Sequence, residues 1–148
     1  MVRIFIMEGI FKTVNSEIKD GSNPNTKTIN ITVEEKPTGE ISLSAGFGTD
    51  GGVLGGGIKE KNFLGKGITL DSDFQLSTEG VKGSITYSKP NFNYTDNTLF
   101  TSIKSISQDN LSTSGYKIST LGLSLGTTFE QYENLFFSPE IAFTQEDL

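Results

Sequence analysis

From Gly39 onward, apolar and polar side chains alternate with a period of two, the pattern of strands that show one face to an apolar phase and the other to water. Ile41, Leu43, Ala45 and Phe47 share one phase, with Ser42, Ser44, Gly46 and Gly48 in the other. Asp50-Gly51-Gly52 is a tight-turn sequence. Val53 to Glu60 forms the next strand, with Leu54, Gly56 and Ile58 in phase, and Asn62 to Gly67 turns it. The clearest segment follows: Ile68, Leu70, Phe74 and Leu76 alternate with Thr69, Asp71, Asp73 and Gln75. After Thr78-Glu79-Gly80, Val81, Gly83, Ile85 and Tyr87 oppose Lys82, Ser84, Thr86 and Ser88, and Pro90 ends the strand. Thr98 to Gln108 is mixed in phase. Tyr116 to Phe129 changes phase between Ile118 and Leu121, which predicts a bulge there. Leu135 to Phe143 completes a meander of seven predicted strands.

Before Gly39 the pattern differs. Ile10, Phe11 and Val14 open a short strand, Asp20 to Asn25 is a polar loop, and Ile29, Ile31 and Val33 alternate with Asn30, Thr32 and Glu34. Glu35-Lys36-Pro37-Thr38-Gly39 then breaks the chain, which predicts two domains, 1–37 and 38–148, joined by a hinge at Pro37, Thr38 and Gly39.

The meander is all-β and antiparallel. Short turns after each strand give up-and-down neighbours and leave no long crossover of the kind a two-sheet sandwich needs. Each strand is close to the roughly 9–11 residues that span a bilayer. With the N-terminal domain placed below the sheet, the lower strand ends carry Phe63, Tyr87, Phe92, Tyr94, Phe100, Phe129, Tyr132, Phe136 and Phe137. These are nine of the fifteen aromatics, eleven Phe and four Tyr. Such a concentration fits the aromatic girdle of a transmembrane barrel at a membrane–water boundary. An open seven-stranded sheet would leave backbone groups unpaired in lipid, so the chain is expected to be part of a longer protein. Met1 to Ile10 lacks the features of a signal peptide, which agrees with that expectation.

Composition narrows the chemistry. The 148 residues contain no Cys and no His, which removes thiolate nucleophiles, disulfides and the commonest metal ligand. Twelve basic and eighteen acidic residues give a net charge of -6 with no basic stripe, so no nucleic-acid partner is expected. No run of about 18 apolar residues is present, which excludes a transmembrane helix and leaves a barrel open. Asp71 and Asp73, two apart on a polar face, have a spacing that could hold a cation, but a solvated lumen face accounts for them more simply. No catalytic residue, metal or cofactor is expected.

Four motifs in order resemble the BamA family of outer-membrane β-barrel assembly factors. Ile31-Thr-Val-Glu-Glu-Lys-Pro-Thr-Gly39 followed by Ala45-Gly-Phe-Gly-Thr49 resembles the junction between the last POTRA domain and the first barrel strand. Lys61-Asn-Phe-Leu-Gly-Lys-Gly67 resembles the Asn-aromatic-Leu-Gly-x-Gly turn between barrel strands two and three. Ser88-Lys-Pro-Asn-Phe92 resembles the Asn-Pro-aromatic turn after strand four, with Lys89 and Asn91 as departures. Gly9-Ile-Phe-Lys-Thr-Val14 resembles the POTRA strand before its final hairpin.

The resemblance implies that 1–37 is the end of a POTRA domain and 38–148 the first seven or so barrel strands. It places the protein in the bacterial outer membrane with the N-terminal part periplasmic. It also implies that Ile41, Ser42, Leu43, Ser44, Ala45, Gly46, Phe47 and Gly48 form one side of a lateral gate that pairs with client strands. The implied partners are unfolded outer-membrane proteins, accessory lipoproteins of the assembly machinery and outer-membrane lipid. A TamA-like factor, a two-partner secretion transporter, a plain porin-like channel and a soluble β-sandwich remain as alternatives.

Overall fold

The computed structural model describes residues 10–23, 25–48, 51–111 and 115–148. Gly9, Pro24, Thr49 and Asp50, which belong to motifs or turns named above, lie outside the described residues. The chain divides into two compact units between Thr38 and Gly39.

The first unit contains a hairpin of β1 (Phe11–Asp20) and β2 (Lys27–Glu35). Its turn is closed by Gly21 N–H donating to Thr26 O at 2.9 Å and by the Thr26 hydroxyl donating to Asn23 O at 2.9 Å. The register opposes Val14 to Val33, Ser16 to Ile31 and Ile18 to Ile29, so the alternating apolar residues of β2 share one face. The other face carries the ion pair Lys12–Glu34 at 2.8 Å.

The second unit is one antiparallel sheet. Its strands are β3 (Gly39–Gly48), β4 (Gly51–Phe63), β5 (Ile68–Ser77), β6 (Gly80–Lys89), β7 (Thr98–Asn110), β8 (Tyr116–Tyr132), β9 (Leu135–Phe137) and β10 (Glu140–Asp147). From β3 to β8 each strand pairs with its sequence neighbour, and β9 and β10 both pair with β8. The fold is the all-β up-and-down meander that the alternation predicts.

Two details differ from the sequence expectation. The last strand is not continuous: Ser138 and Pro139 separate β9 from β10. Proline has no N–H to give to a ladder, although its carbonyl still accepts from Thr127 N–H at 3.1 Å. There is also no bulge in β8 between Ile118 and Leu121, and the strand's one register shift falls at Glu130–Tyr132, against β9. The β7–β8 register runs unbroken from Thr98–Thr128 to Asn110–Tyr116. Ile118 simply lies on the opposite face from Leu121 and opposes Gln108.

The turn motifs have visible causes. In the β4–β5 turn, the Asn62 side-chain oxygen accepts from Gly67 N–H at 2.8 Å and its backbone carbonyl accepts from Gly65 N–H at 2.8 Å. Gly65 and Gly67 both adopt positive φ, 69° and 63°, where a side chain is strained. The β6–β7 turn is held by Phe92 N–H donating to Asn97 O at 2.8 Å, and Lys89 Nζ lies 5.9 Å from the Phe92 ring centre.

Candidate functional site

Opposed residues in an antiparallel ladder share a face, so the registers sort the sheet into two. One face carries Ile41, Leu43, Ala45 and Phe47 of β3, Leu54 and Ile58 of β4, Leu70, Phe74 and Leu76 of β5, Val81, Ile85 and Tyr87 of β6, Ile103 of β7, Leu121, Leu123 and Leu125 of β8, and Ile141 and Phe143 of β10. These side chains are exposed to an extent no soluble core allows: Leu43 is 83% exposed, Ile58 61% and Phe143 72%. The other face carries Ser42, Ser44, Asp71, Asp73, Gln75, Lys82, Thr86 and Lys104. It is the more crowded side, holding the buried Gly57, Ser102, Ser124 and Gly126, as the inside of a curved sheet does. Asp71 is engaged by Lys59 at 2.8 Å.

The apolar band does not follow the rungs of the ladder. The rung through Ala45, Leu54, Leu76 and Val81 continues into Ser107, Ser119 and Asp147. At the other end the band extends past the last rung of β7 to Phe129 and Phe137, whose rings stack at 6.2 Å. On β3 the band spans Ile41 to Phe47 and centres on Ser44; on β8 it spans Leu121 to Phe129 and centres on Leu125. The rung through Leu125 runs by Thr101, Tyr87, Leu70 and Glu60 to Gly39, five residues from Ser44 over five strand steps. One residue per strand, about 3.3 Å along for about 4.8 Å across, inclines the band by about 35° to the rungs. Barrel strands tilt by about 35–45° to the barrel axis, so the band lies level in a bilayer.

Phenylalanine fills the gaps left by cross-strand glycines. Phe74 opposes Gly56 and covers it: a Cβ there would stand 2.7 Å from the ring. Phe100 opposes and covers Gly126 on the inner face. The phase of Phe100, which looks irregular in the sequence, is set by that glycine.

All eight predicted edge residues, Ile41, Ser42, Leu43, Ser44, Ala45, Gly46, Phe47 and Gly48, lie in β3 and are exposed. Pro37 and Thr38 lie between β2 and β3, and Gly39 begins β3. Among the described residues, β3 has a strand neighbour on one side only. Alternate residues of an antiparallel edge turn both N–H and C=O outward, which gives β3 four or five outward pairs of backbone groups. A Cβ at Gly46 or Gly48 would meet nothing within 4 Å. Natural edges are blunted by charge, Pro or bulges. From Ile41 to Gly48 there is no charge and no Pro, and the β3–β4 register has no shift. By contrast β10, at the other margin, carries Glu140, Glu146 and Asp147.

No family model matches the chain. Among solved structures, BamA from Haemophilus ducreyi lacking POTRA domains 1–3 superposes with a TM-score of 0.83 at 25% sequence identity. The match covers 98% of this chain and 28% of that one. By strand order, by the order of its turn motifs and by this likeness, the chain has the strand meander of a BamA-type outer-membrane β-barrel.

Proposed function

We propose that the protein inserts β-barrel proteins into the outer membrane, with β3 as the edge on which client strands are built. The observation that carries this is the edge itself: a ten-residue strand with an apolar outer face, only Ser and Gly on its inner face beyond Glu40, and no blunting device between Ile41 and Gly48. A client strand would add by backbone pairing, which reads no particular side chain and so serves many sequences. Each hydrogen bond contributes a net of roughly 0.5–1.5 kcal/mol, so a client bonded to about half of the outward N–H and C=O groups of β3 is held without being trapped. No covalent step is involved.

In this scheme residues 1–37 are the end of a POTRA domain in the periplasm, and Pro37, Thr38 and Gly39 are the hinge that delivers β3. Unfolded outer-membrane proteins are the clients, and accessory lipoproteins and outer-membrane lipid are the other partners. The likeness to BamA supports the class of machine, and the open edge supports the role of the strand.

The test is a proline scan of Ser42 to Gly48 in the full-length protein, with crosslinking from β3 to a client's terminal strand. Prolines whose lost N–H faces outward are expected to reduce client assembly and crosslinking while the protein's own barrel still forms. Full client assembly across the scan, with no crosslinks at β3, would remove this edge as the template.

A further inference from the structure

β3 is held unevenly along its length. At the Gly39 end, Glu40 opposes Lys59, Lys61 Nζ donates to Glu40 Oε1 at 2.5 Å, and Ile41 opposes Ile58. Beyond Ile41 the rungs are Ser42–Gly57, Leu43–Gly56, Ser44–Gly55, Ala45–Leu54, Gly46–Val53, Phe47–Gly52 and Gly48–Gly51. All but Ala45–Leu54 contain a glycine. A rung with glycine has no opposed pair of side chains to add to its backbone bonds. Glycine also regains more backbone freedom than any other residue when a strand is released. Register is weakly specified in glycine-rich strands, because few side chains penalise a slip.

We infer that β3 is a strand clamped at one end: the Glu40–Lys61 ion pair and the Ile41–Ile58 pair pin its position and register, while Ser42 to Gly48 releases β4 first, starting at Gly48. The consequence for assembly rests on β3 being the template edge. The remote half can then loosen as a client strand adds or leaves, and the clamp returns β3 to the same register each time. The ion pair and the Ile41–Ile58 pair sit outside the glycine-rich run from Ser42 to Gly48, and that complementary placement makes this more than a weak surface ion pair on an ordinary strand.

Hydrogen exchange of the full-length protein in lipid nanodiscs, read by mass spectrometry without a client, tests the clamp. The β4 amides that donate to β3 are expected to exchange at least tenfold faster between Gly51 and Gly56 than between Ile58 and Glu60. Glu40→Gln and Lys61→Gln should each speed exchange at the clamped end by about threefold to fivefold and leave the Gly51 end unchanged. An even rate along β4, or no response to either substitution, would overturn the clamp. Client crosslinking in the same variants separates the two ideas: a gradient of exchange without crosslinks at β3 keeps the clamp and removes the template.

Discussion

The hairpins β3–β4 and β7–β8 belong to one sheet, yet seven of the ten rungs of the first contain glycine and only two of the thirteen in the second do. In β7–β8 those two are Phe100–Gly126 and Lys104–Gly122, and the first is filled by the phenylalanine ring. Neighbouring rungs there are joined by hydroxyls. Ser102 and Ser124 share a buried hydrogen bond at 2.6 Å, and the Thr101 hydroxyl donates to Ser124 O at 2.8 Å. The backbone ladder is common to both hairpins; the side-chain lock is not. A directly opposed pair adds roughly 0.2–1 kcal/mol, so the difference accumulates along a strand. One hairpin is built as wall and the other as an edge that can loosen.

The largest expected effect separates wall from edge outright. Ile103→Pro in β7, which is paired on both sides, should abolish the folded barrel, because a donor is lost within a continuous ladder. A proline in β3 at a residue between Ser42 and Gly48 whose N–H faces away from β4 should leave the folded species intact. Heat-modifiable gel mobility of each variant reads the outcome, and equal loss of the folded band in both would erase the distinction.

The inclined apolar band gives a second contrast. Leu43 and Ser105 lie on the same rung and face, but Leu43 is within the band on β3 and Ser105 lies beyond its end on β7. Leu43→Lys should cost about 2–4 kcal/mol, and Ser105→Lys about 0–1 kcal/mol, following the depth dependence of lipid-facing charge. Equilibrium unfolding in lipid vesicles measures both. Similar costs would mean that the bilayer runs parallel to the rungs.

A smaller contrast uses glycine. Gly126→Val must displace the Phe100 ring and should destabilise by about 1–3 kcal/mol. Gly46→Val enters open space, and its unfolding midpoint should stay within about 0.5 kcal/mol of the parent. A large cost at Gly46 would show that the inner face of β3 is covered in the intact protein.

Much of the wall was legible in the alternation of β5 and β6, because a strand between lipid and a wet interior must alternate or expose the wrong group on both sides. The phases of β7 and β8 misled because Phe100, Ile106 and Ile118 are apolar residues of the inner face, and Phe100 is there to fill the space over Gly126, a partner 26 residues away. Pro139 was visible in the sequence, and the rule that Pro withholds a ladder donor was enough to split the last strand there. The open edge followed from the short turns, because an up-and-down meander leaves its first and last strands with one neighbour each; the assignment of a client role to that edge rested on the motifs around Pro37–Gly39. The charge clamp escaped notice because Glu40 and Lys61 become partners only once the register is known.

The inclination of the band makes strand register and membrane depth a single variable. A slip of two residues between neighbouring strands keeps every side chain on its proper face, so the alternation does not resist it. Yet such a slip carries all later strands about 6.6 Å along their own axes, moving Leu123 and Phe143 relative to the level set by Leu43 and Phe74. The bilayer therefore acts as a gauge that the two-faced pattern lacks. It checks each added strand against those before it, and that check operates at every rung from Ile41 to Phe143.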